Sequence, residues 1–158
     1  MLFTFGKSIF AFGSYRKNLI FCILVEGKKN NTPEASKPYE ISFEYRPLYL
    51  YVRVTGEQDS YEISKQYWQE IADECKKSDC KKVLIEENLL ENVSMPDMYQ
   101  FASEILQLGF FGIRVAFVDL QEEQQQLNKF GETVATNRGL FSRVFGNFEE
   151  AEKWLLSE

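Results

Sequence analysis

The sequence predicts an α/β domain with a mixed, mainly parallel sheet of four to five strands and packed helices. An almost unbroken apolar run at 112–120 (GIRVAFVDL) is typical of a strand that is buried on both faces. Helical patterns lie before and after this run, and such alternation of strand and helix favours parallel pairing. Residues 39–55 instead alternate polar and apolar side chains, as a half-exposed antiparallel hairpin does. We expect 112–120 to be the central strand.

The predicted element order is β-β-α-β-α-β-α-β-α. The strands are expected at 39–46, 48–55, 82–86, 112–120 and 140–145, and the helices at about 60–77, 94–108, 121–138 and from 147 onward. Serine and asparagine precede several of these helices, and such residues accept hydrogen bonds from free amides of the first turn. We therefore expect Asp59 or Ser60, Ser94 and Asn147 to be N-caps. Gly139 is expected to be a left-handed C-terminal cap.

The buried faces of the helices follow from the spacing of their apolar residues. The first helix is expected to bury Ile63, Tyr67, Trp68, Ile71, Ala72 and Cys75. The second is expected to bury Met98, Phe101, Ala102, Ile105 and Leu108, and the third Leu127, Phe130 and Val134. Phe148, Ala151 and Leu155 should pack the last helix against the sheet.

The charge of the chain is unevenly distributed. Residues 1–38 carry six basic and two acidic side chains, whereas residues 39–158 carry twelve basic and twenty-two acidic ones. A domain this acidic repels phosphate backbones, so we expect no nucleic-acid partner. We interpret residues 1–38 as an extension and linker outside the domain. Its longest apolar run, Leu19–Val25, is far shorter than the roughly 20 residues that span a membrane, so membrane anchoring is not expected.

Two features of the composition bear on chemistry. The chain has no histidine, which removes the commonest general base and metal ligand near neutral pH. Its cysteines, Cys22, Cys75 and Cys80, form no CxxC motif, which favours a reducing compartment and argues against structural zinc. The basic residues beside Cys80 predict a mildly lowered thiol pKa, but we expect an ordinary thiol without a resolving partner. We therefore expect a cytoplasmic, non-enzymatic protein without cofactor or metal.

Acidic residues near the ends of two predicted strands are the remaining candidates for a metal site. Glu86, Glu87, Glu91 and Asp119 could meet at the carboxyl edge of the sheet and bind a divalent cation. Adjacent residues of a strand point to opposite faces, however, so Glu86 and Glu87 cannot both line one site. We expect solvated carboxylates here rather than a metal centre.

The C-terminal third of the chain resembles a group of small bacterial proteins of the STAS-like superfamily, whose fold is that of the sporulation anti-sigma-factor antagonists. The segments that carry the likeness are RVAFV at 114–118, FGETVATNRG at 130–139, RVF at 143–145 and EEAEKWL at 149–155. The likeness extends over about residues 39–158. It implies a regulatory module that acts through protein–protein interaction or self-association.

The resemblance also implies two more specific possibilities. The antagonists carry a phosphorylatable serine at the start of the helix after the third strand, and only Ser94 of Val93-Ser94-Met95-Pro96 matches that motif. We expect Ser94 to be a helix cap. Other members of the wider fold have an apolar cavity, similar to the CRAL-TRIO architecture. The alternative function is therefore a pocket for a small apolar or lipid ligand. A large buried cavity lined by Trp68, Phe101 and Phe117 would favour this pocket, whereas a tightly filled core with an exposed apolar loop would favour the interaction module.

The predicted interaction surface is the loop from Glu87 to Met95. It is longer than most connections in α/β domains, and its residues are Glu87, Leu89, Leu90, Glu91, Val93, Ser94 and Met95 together with two asparagines. Exposed apolar side chains with an acidic rim of Glu87, Glu91 and Asp97 would form an interface patch. In the alternative interpretation, Leu89 and Val93 pack under the sheet and only the acidic side chains are exposed.

Overall fold

The computed structural model describes residues 36–157, and these form a five-stranded sheet with helices packed against it. The strands are β1 (Tyr39–Tyr45), β2 (Leu50–Gly56), β3 (Lys82–Leu89), β4 (Arg114–Asp119) and β5 (Phe141–Phe145). The helices are α1 (Tyr61–Lys77), α2 (Met95–Glu104), α3 (Gln125–Thr136) and α4 (Phe148–Leu156). Short 3₁₀ helices at Ile105–Leu108 and Glu122–Gln124 extend α2 and precede α3. The predicted element order and fold class are confirmed.

The strands follow their sequence order across the sheet, β1-β2-β3-β4-β5. β1 and β2 are antiparallel, and the other neighbouring pairs are parallel. The prediction that 112–120 is the central strand was wrong, because β3 lies at the centre and β4 beside it. Both strands are buried on both faces, and the two glutamates of β3 had made that strand look less apolar than β4.

The core has two layers, one on each face of the sheet. The larger layer contains Trp68 of α1, Phe101 of α2 and Val134 of α3, packed on strand residues such as Ile85 and Phe117. The smaller layer is formed by Ala151 and Leu155 of α4 against β3, β4 and β5. The predicted faces of α1 and α4 are confirmed in outline, with Ile63 and Phe148 only half-buried.

The predicted caps are confirmed where the geometry tests them. Ser60 and Ser94 accept hydrogen bonds from the amides of Ile63 (3.2 Å) and Asp97 (3.3 Å). The Asn147 side chain accepts one from the Glu150 amide at 2.9 Å. Gly139 follows α3 with a φ of 100°, in the left-handed region that disfavours any residue with a Cβ.

The predicted inward face of α3 is confirmed only in part, and the start of β2 differs from the prediction. On α3 the buried residues are Asn128, Gly131, Val134 and Ala135, while Leu127 and Phe130 are half-buried. Phe130 still packs against the larger core layer, and Asn128 turns inward to donate to the Asp119 carboxylate. In the hairpin, β2 begins at Leu50 rather than Leu48, which is 69% exposed in the turn.

The proposed extension at 1–38 falls almost wholly outside the described residues, and its boundary stays a prediction. At the described end of this segment, the Lys37 ammonium lies 2.7 Å from a Glu70 carboxylate oxygen. The next aromatic residue, Tyr39, is buried and begins β1. Among residues 36–157, no helix is both long and apolar enough to cross a membrane.

Candidate functional site

Two buried carboxyl groups lie side by side at the carboxyl edge of the sheet. Glu87 and Asp119 are direct partners in the parallel pairing of β3 and β4. The alternation of each strand places Glu87 on the face of Ile85 and Asp119 on the face of Phe117, which is the face of the larger core layer. Each residue is only 2% exposed. The expectation of solvated carboxylates was therefore wrong for these two residues.

The carboxyl groups are held by hydrogen bonds from two helices and a loop. The Tyr67 hydroxyl of α1 donates to Glu87 Oε2. Asn128 Nδ2 of α3 donates to Asp119 Oδ2 at 2.6 Å, and the Gln121 amide donates to Asp119 Oδ1 at 2.8 Å. These bonds explain why polar residues occupy inward positions on α1 and α3, because buried carboxyl oxygens need donors.

A third carboxyl group completes the cluster from the loop between β2 and α1. Asp59 Oδ1 accepts hydrogen bonds from the Ser60 amide at 2.8 Å and from the Ser64 hydroxyl at 2.9 Å. Its negative charge raises the pKa of Glu87, which shows that the two groups interact. The predicted capping role belongs to Ser60, and Asp59 instead faces the interior.

Burial raises the pKa values of all three carboxyl groups. Desolvation is the main cause in each case, and the charge of a neighbouring carboxylate adds to it. Desolvation and Asp119 raise the pKa of Asp59 to about 6, although bonds from Ser64 and Ser60 oppose the change. The pKa of Glu87 lies well above its usual value because of burial, Asp59 and Asp119. The cluster therefore holds protons at pH values where ordinary carboxyl groups are ionised.

The acidic cluster forms one wall of a cavity of about 60 Å³. Asp59, Glu87 and Asn128 lie on this wall, and the lining also includes Trp68, Phe101, Phe117, Met98 and Ile105. The Trp68 and Phe117 rings stack with their centroids 5.9 Å apart, and the Phe101 centroid lies 5.8 Å from that of Trp68. The three aromatic residues named from the sequence thus line a single cavity.

Among residues 36–157, Asp59 and Glu87 have no basic partner, whereas Glu132, which also lines the cavity, lies 3.0 Å from the Lys129 ammonium. Within 36–157, none of the ion pairs formed by lysine or arginine involves Asp59, Glu87 or Asp119. Glu86 points to the opposite face and pairs with Arg53 at 3.5 Å, as the alternation of the strand predicts. In the same range, no three metal-ligating side chains are grouped closely enough to hold an ion. The wall is thus acidic and uncompensated, without the geometry of a metal centre.

The predicted interaction loop is shorter than expected, because β3 continues to Leu89 by pairing with Gly56 of β2. Leu89 and Val93 are buried, whereas Leu90 and Met95 are 60% and 62% exposed. Glu87 belongs to the cavity and not to the acidic rim. Glu91 and Ser94 are exposed, and Ser94 caps α2. Whether this surface binds a partner stays a prediction.

Two glutamines connect this loop to the loop that follows β4. Gln124 Nε2 donates to the carbonyl oxygens of Leu89 at 2.9 Å and Glu91 at 3.4 Å. Gln121 Nε2 donates to Asn88 Oδ1 at 2.7 Å. The carboxyl edge beside the cavity is therefore cross-linked by side-chain hydrogen bonds.

Sequence reasoning missed Asp59, Tyr67 and Asn128 as members of one polar site. A signal was present for Glu87, because it occupies the same strand face as Val83, Ile85 and Leu89. The side chains that approach it come from distant elements, and a single sequence does not show which helix positions meet a given strand position.

The comparisons with known proteins name no function. No family model and no curated protein matches the chain. A crystal structure of an uncharacterised protein of the DUF3478 family, with a SpoIIAA-like fold, from Shewanella loihica PV-4 is similar in structure. The likeness covers 74% of this chain and 93% of that chain, at 17% identity and a TM-score of 0.47.

Proposed function

We propose that this protein is a non-enzymatic module that binds a small organic cation in the cavity at the carboxyl edge of its sheet. The observation that carries the proposal is the presence of the buried Glu87 carboxyl group in the same cavity lining as Trp68, Phe101 and Phe117. Open α/β sheets bind ligands at the carboxyl ends of their strands. An apolar pocket with a few convergent polar groups of perturbed pKa is a typical binding site.

The charge of the cavity favours a cationic ligand. Carboxyl groups in a wall without lysine or arginine would be stabilised in their ionised form by an ammonium group, which supplies the missing opposite charge. The faces of Trp68 and Phe117 add a favourable interaction with the same group, because aromatic rings attract cations electrostatically. An anionic ligand would meet repulsion from Glu87 and Asp59.

The size of the cavity favours a small ligand over a lipid. Its volume of about 60 Å³ is well below the roughly 150 Å³ of an apolar cavity that admits benzene. A short alkylammonium ion fits this space, whereas an acyl chain of a membrane lipid does not. The apolar lining from Ile105 and Met98 would contact the alkyl part.

Fluorescence of Trp68 provides the test. The chain contains two tryptophans, and Trp154 belongs to the layer on the opposite face of the sheet. In a Trp154→Phe variant, ethylammonium and propylammonium should change the remaining emission in a saturable way, while ethanol and propanol should bind at least about tenfold more weakly.

Glu87→Gln in the same background is the matched control, because it keeps the shape of the side chain and removes its charge. It should abolish the preference for the ammonium ions. Equal responses to the ammonium ions and the alcohols would contradict the proposed cation specificity, and no saturable response to either would contradict binding in the cavity.

A second candidate function is protein–protein interaction through Leu90 and Met95. Both side chains are more than half exposed next to the acidic Glu91, so the surface combines apolar area with a charged rim. A partner of this surface would be another protein or a second copy of the chain.

The double variant Leu90→Asp with Met95→Asp tests this second candidate. Because both side chains are exposed, circular dichroism should show unchanged folding, and light scattering should show any loss of self-association. Leu48→Asp with Phe111→Asp is a matched control, since these side chains are also exposed, at 69% and 87%. If both double variants weakened association equally, the interface would lie elsewhere. The same conclusion would follow if neither variant weakened association.

A further inference from the structure

The end of α1 brings two cysteines together at the edge of the sheet opposite the cavity. Asp79 has a φ of 52°, the left-handed conformation that ends many helices. The Cys80 amide donates to the Cys75 carbonyl oxygen at 2.8 Å, and the Asp79 amide donates to the Lys76 carbonyl oxygen at 3.4 Å. These two bonds define a Schellman motif, in which the side chains at the positions of Cys75 and Cys80 make contact.

The geometry is compatible with a bond between the two sulfur atoms. The amide–carbonyl bond links the two main chains so closely that their Cα atoms are at most about 7 Å apart, which is near the upper limit for disulfides. The Cys80 thiol donates to the Lys82 carbonyl oxygen at 2.8 Å. The expectation that Cys80 lacks a resolving partner stays untested, but the turn brings Cys75 close to it as a candidate partner. The partner lies five positions earlier, and the turn geometry that joins the two is not visible as a CxxC motif.

The two thiols differ in accessibility and acidity. Cys75 is 1% exposed, whereas Cys80 is partly exposed and lines a surface groove of about 250 Å³ between the hairpin turn and the end of α1. The neighbouring Cys75 lowers the pKa of the Cys80 thiol to about 6 although burial opposes the change, and the Lys81 ammonium contributes to the lowering. The neighbouring Cys80, together with burial, raises the pKa of Cys75. Cys80 is thus the accessible thiolate and Cys75 the shielded thiol.

We propose that Cys75 and Cys80 form a thiol pair that a hydroperoxide oxidises reversibly to an intramolecular disulfide. The Cys80 thiolate attacks the terminal oxygen of the hydroperoxide, so that a sulfur–oxygen bond forms and the oxygen–oxygen bond breaks. The leaving oxygen takes up a proton and departs as water or an alcohol. Cys75 then attacks the sulfenic sulfur of Cys80, the disulfide forms, and water is released. Thiol reductants reverse the reaction.

The test uses the full chain with Cys22→Ser, so that only the proposed pair remains of the three cysteines. After treatment with hydrogen peroxide, we expect intact-mass spectrometry to show the loss of two hydrogen atoms per chain and thiol titration to find no free thiol. Dithiothreitol should restore both thiols. Free thiols after the treatment, or a disulfide-linked dimer in non-reducing electrophoresis, would overturn the proposal.

Two further variants separate the roles of the cysteines. With Cys75→Ser, dimedone should trap a sulfenic acid on Cys80, because the resolving thiol is absent. With Cys80→Ser, peroxide should react at least about tenfold more slowly, because the shielded Cys75 is a poor nucleophile. Equal rates for the two variants would overturn the assignment. The alkylation rate of Cys80 by iodoacetamide in the Cys22→Ser protein should rise through about pH 6, and a rise only near the ordinary thiol pKa would count against the proposal.

Discussion

Glu87 and Asp119 are neighbours across two parallel strands, and both carboxyl groups are buried on the same face of the sheet. Two acidic side chains in such positions repel each other when they are ionised, and each also loses solvation. A fold that needed only a packed core would be more stable with apolar residues there. This arrangement is the basis of the proposed cation site, and several measurements test it.

The hydrogen bond from Tyr67 to Glu87 should contribute measurably to stability. Tyr67→Phe removes the donor and leaves a buried carboxyl oxygen without it, so we expect the free energy of unfolding to fall by about 1–3 kcal/mol in urea titrations. Tyr61→Phe is the control, since the Tyr61 hydroxyl donates to the more exposed Glu104 at 2.6 Å. Its loss should cost less than about 0.5 kcal/mol. Similar costs for both variants would show that the buried position adds nothing.

The acidic cluster predicts that stability falls as the pH rises. Burial raises the folded-state pKa values of Asp59, Glu87 and Asp119 above those of the unfolded chain. The pKa of Asp59 rises to about 6. At pH values between the unfolded-state pKa and the folded-state pKa, the folded protein binds more protons than the unfolded chain does. Its stability is therefore greatest below the unfolded-state pKa and decreases as the pH rises through the folded-state pKa. We expect a decrease of roughly 2 kcal/mol between about pH 5 and pH 8.

Cys80 must be removed for this measurement, because its lowered pKa has the opposite effect on stability over the upper part of this range. In a Cys80→Ser background, Glu87→Gln should flatten the pH dependence. The chain has no histidine, so no imidazole contributes to the profile. A stability that rises with pH in this background would contradict the raised pKa values.

Because Gly139 is a left-handed cap, its replacement should lower the free energy of unfolding through strain in the backbone. A Cβ there would lie 3.7 Å from a Leu106 methyl carbon, which is ordinary contact, so strain rather than collision decides the outcome. Gly139→Ala should lower stability by about 1–2 kcal/mol. Gly139→Asn should cost less, since asparagine tolerates this conformation better. Equal losses for the two variants would show that the backbone is not the cause.

Deletion of residues 1–38 tests the proposed domain boundary. The described contact that it removes is the ion pair of Lys37 with Glu70, and exposed pairs of this kind contribute little. We therefore expect the thermal midpoint to change by less than about 5 °C. A larger decrease would place part of that segment within the cooperative unit.

The sequence predicted the fold better than the site, and particular residues show why. The alternation of Val83, Ile85 and Leu89 and the caps at Ser94 and Asn147 are local patterns, so a single sequence contains them. The position of Glu87 next to Tyr67 depends on how α1 packs on β3, which no local pattern specifies. Trp68, Phe101 and Phe117 could be named as the residues that would line a cavity, because all three lie on predicted core elements.

The inward position of Asn128 on α3 could not be predicted for the same reason. The apolar residues of α3 indicated its inward face, but Asn128 is also buried and donates to Asp119. A buried amide is recognisable only when its acceptor is known. The acceptor is Asp119, nine positions earlier at the end of β4. The burial of this strand was predicted, but its terminal aspartate was expected to be solvated.

The most direct test of the cavity as a cation site is the NMR spectrum of the two indole N–H groups. Trp68 lines the cavity and Trp154 packs on the other face of the sheet, so each gives an independent signal. Titration with propylammonium should shift the Trp68 resonance progressively to saturation and leave that of Trp154 in place, whereas propanol should have little effect. An unmoved Trp68 resonance, or an equal shift with propanol, would contradict the account.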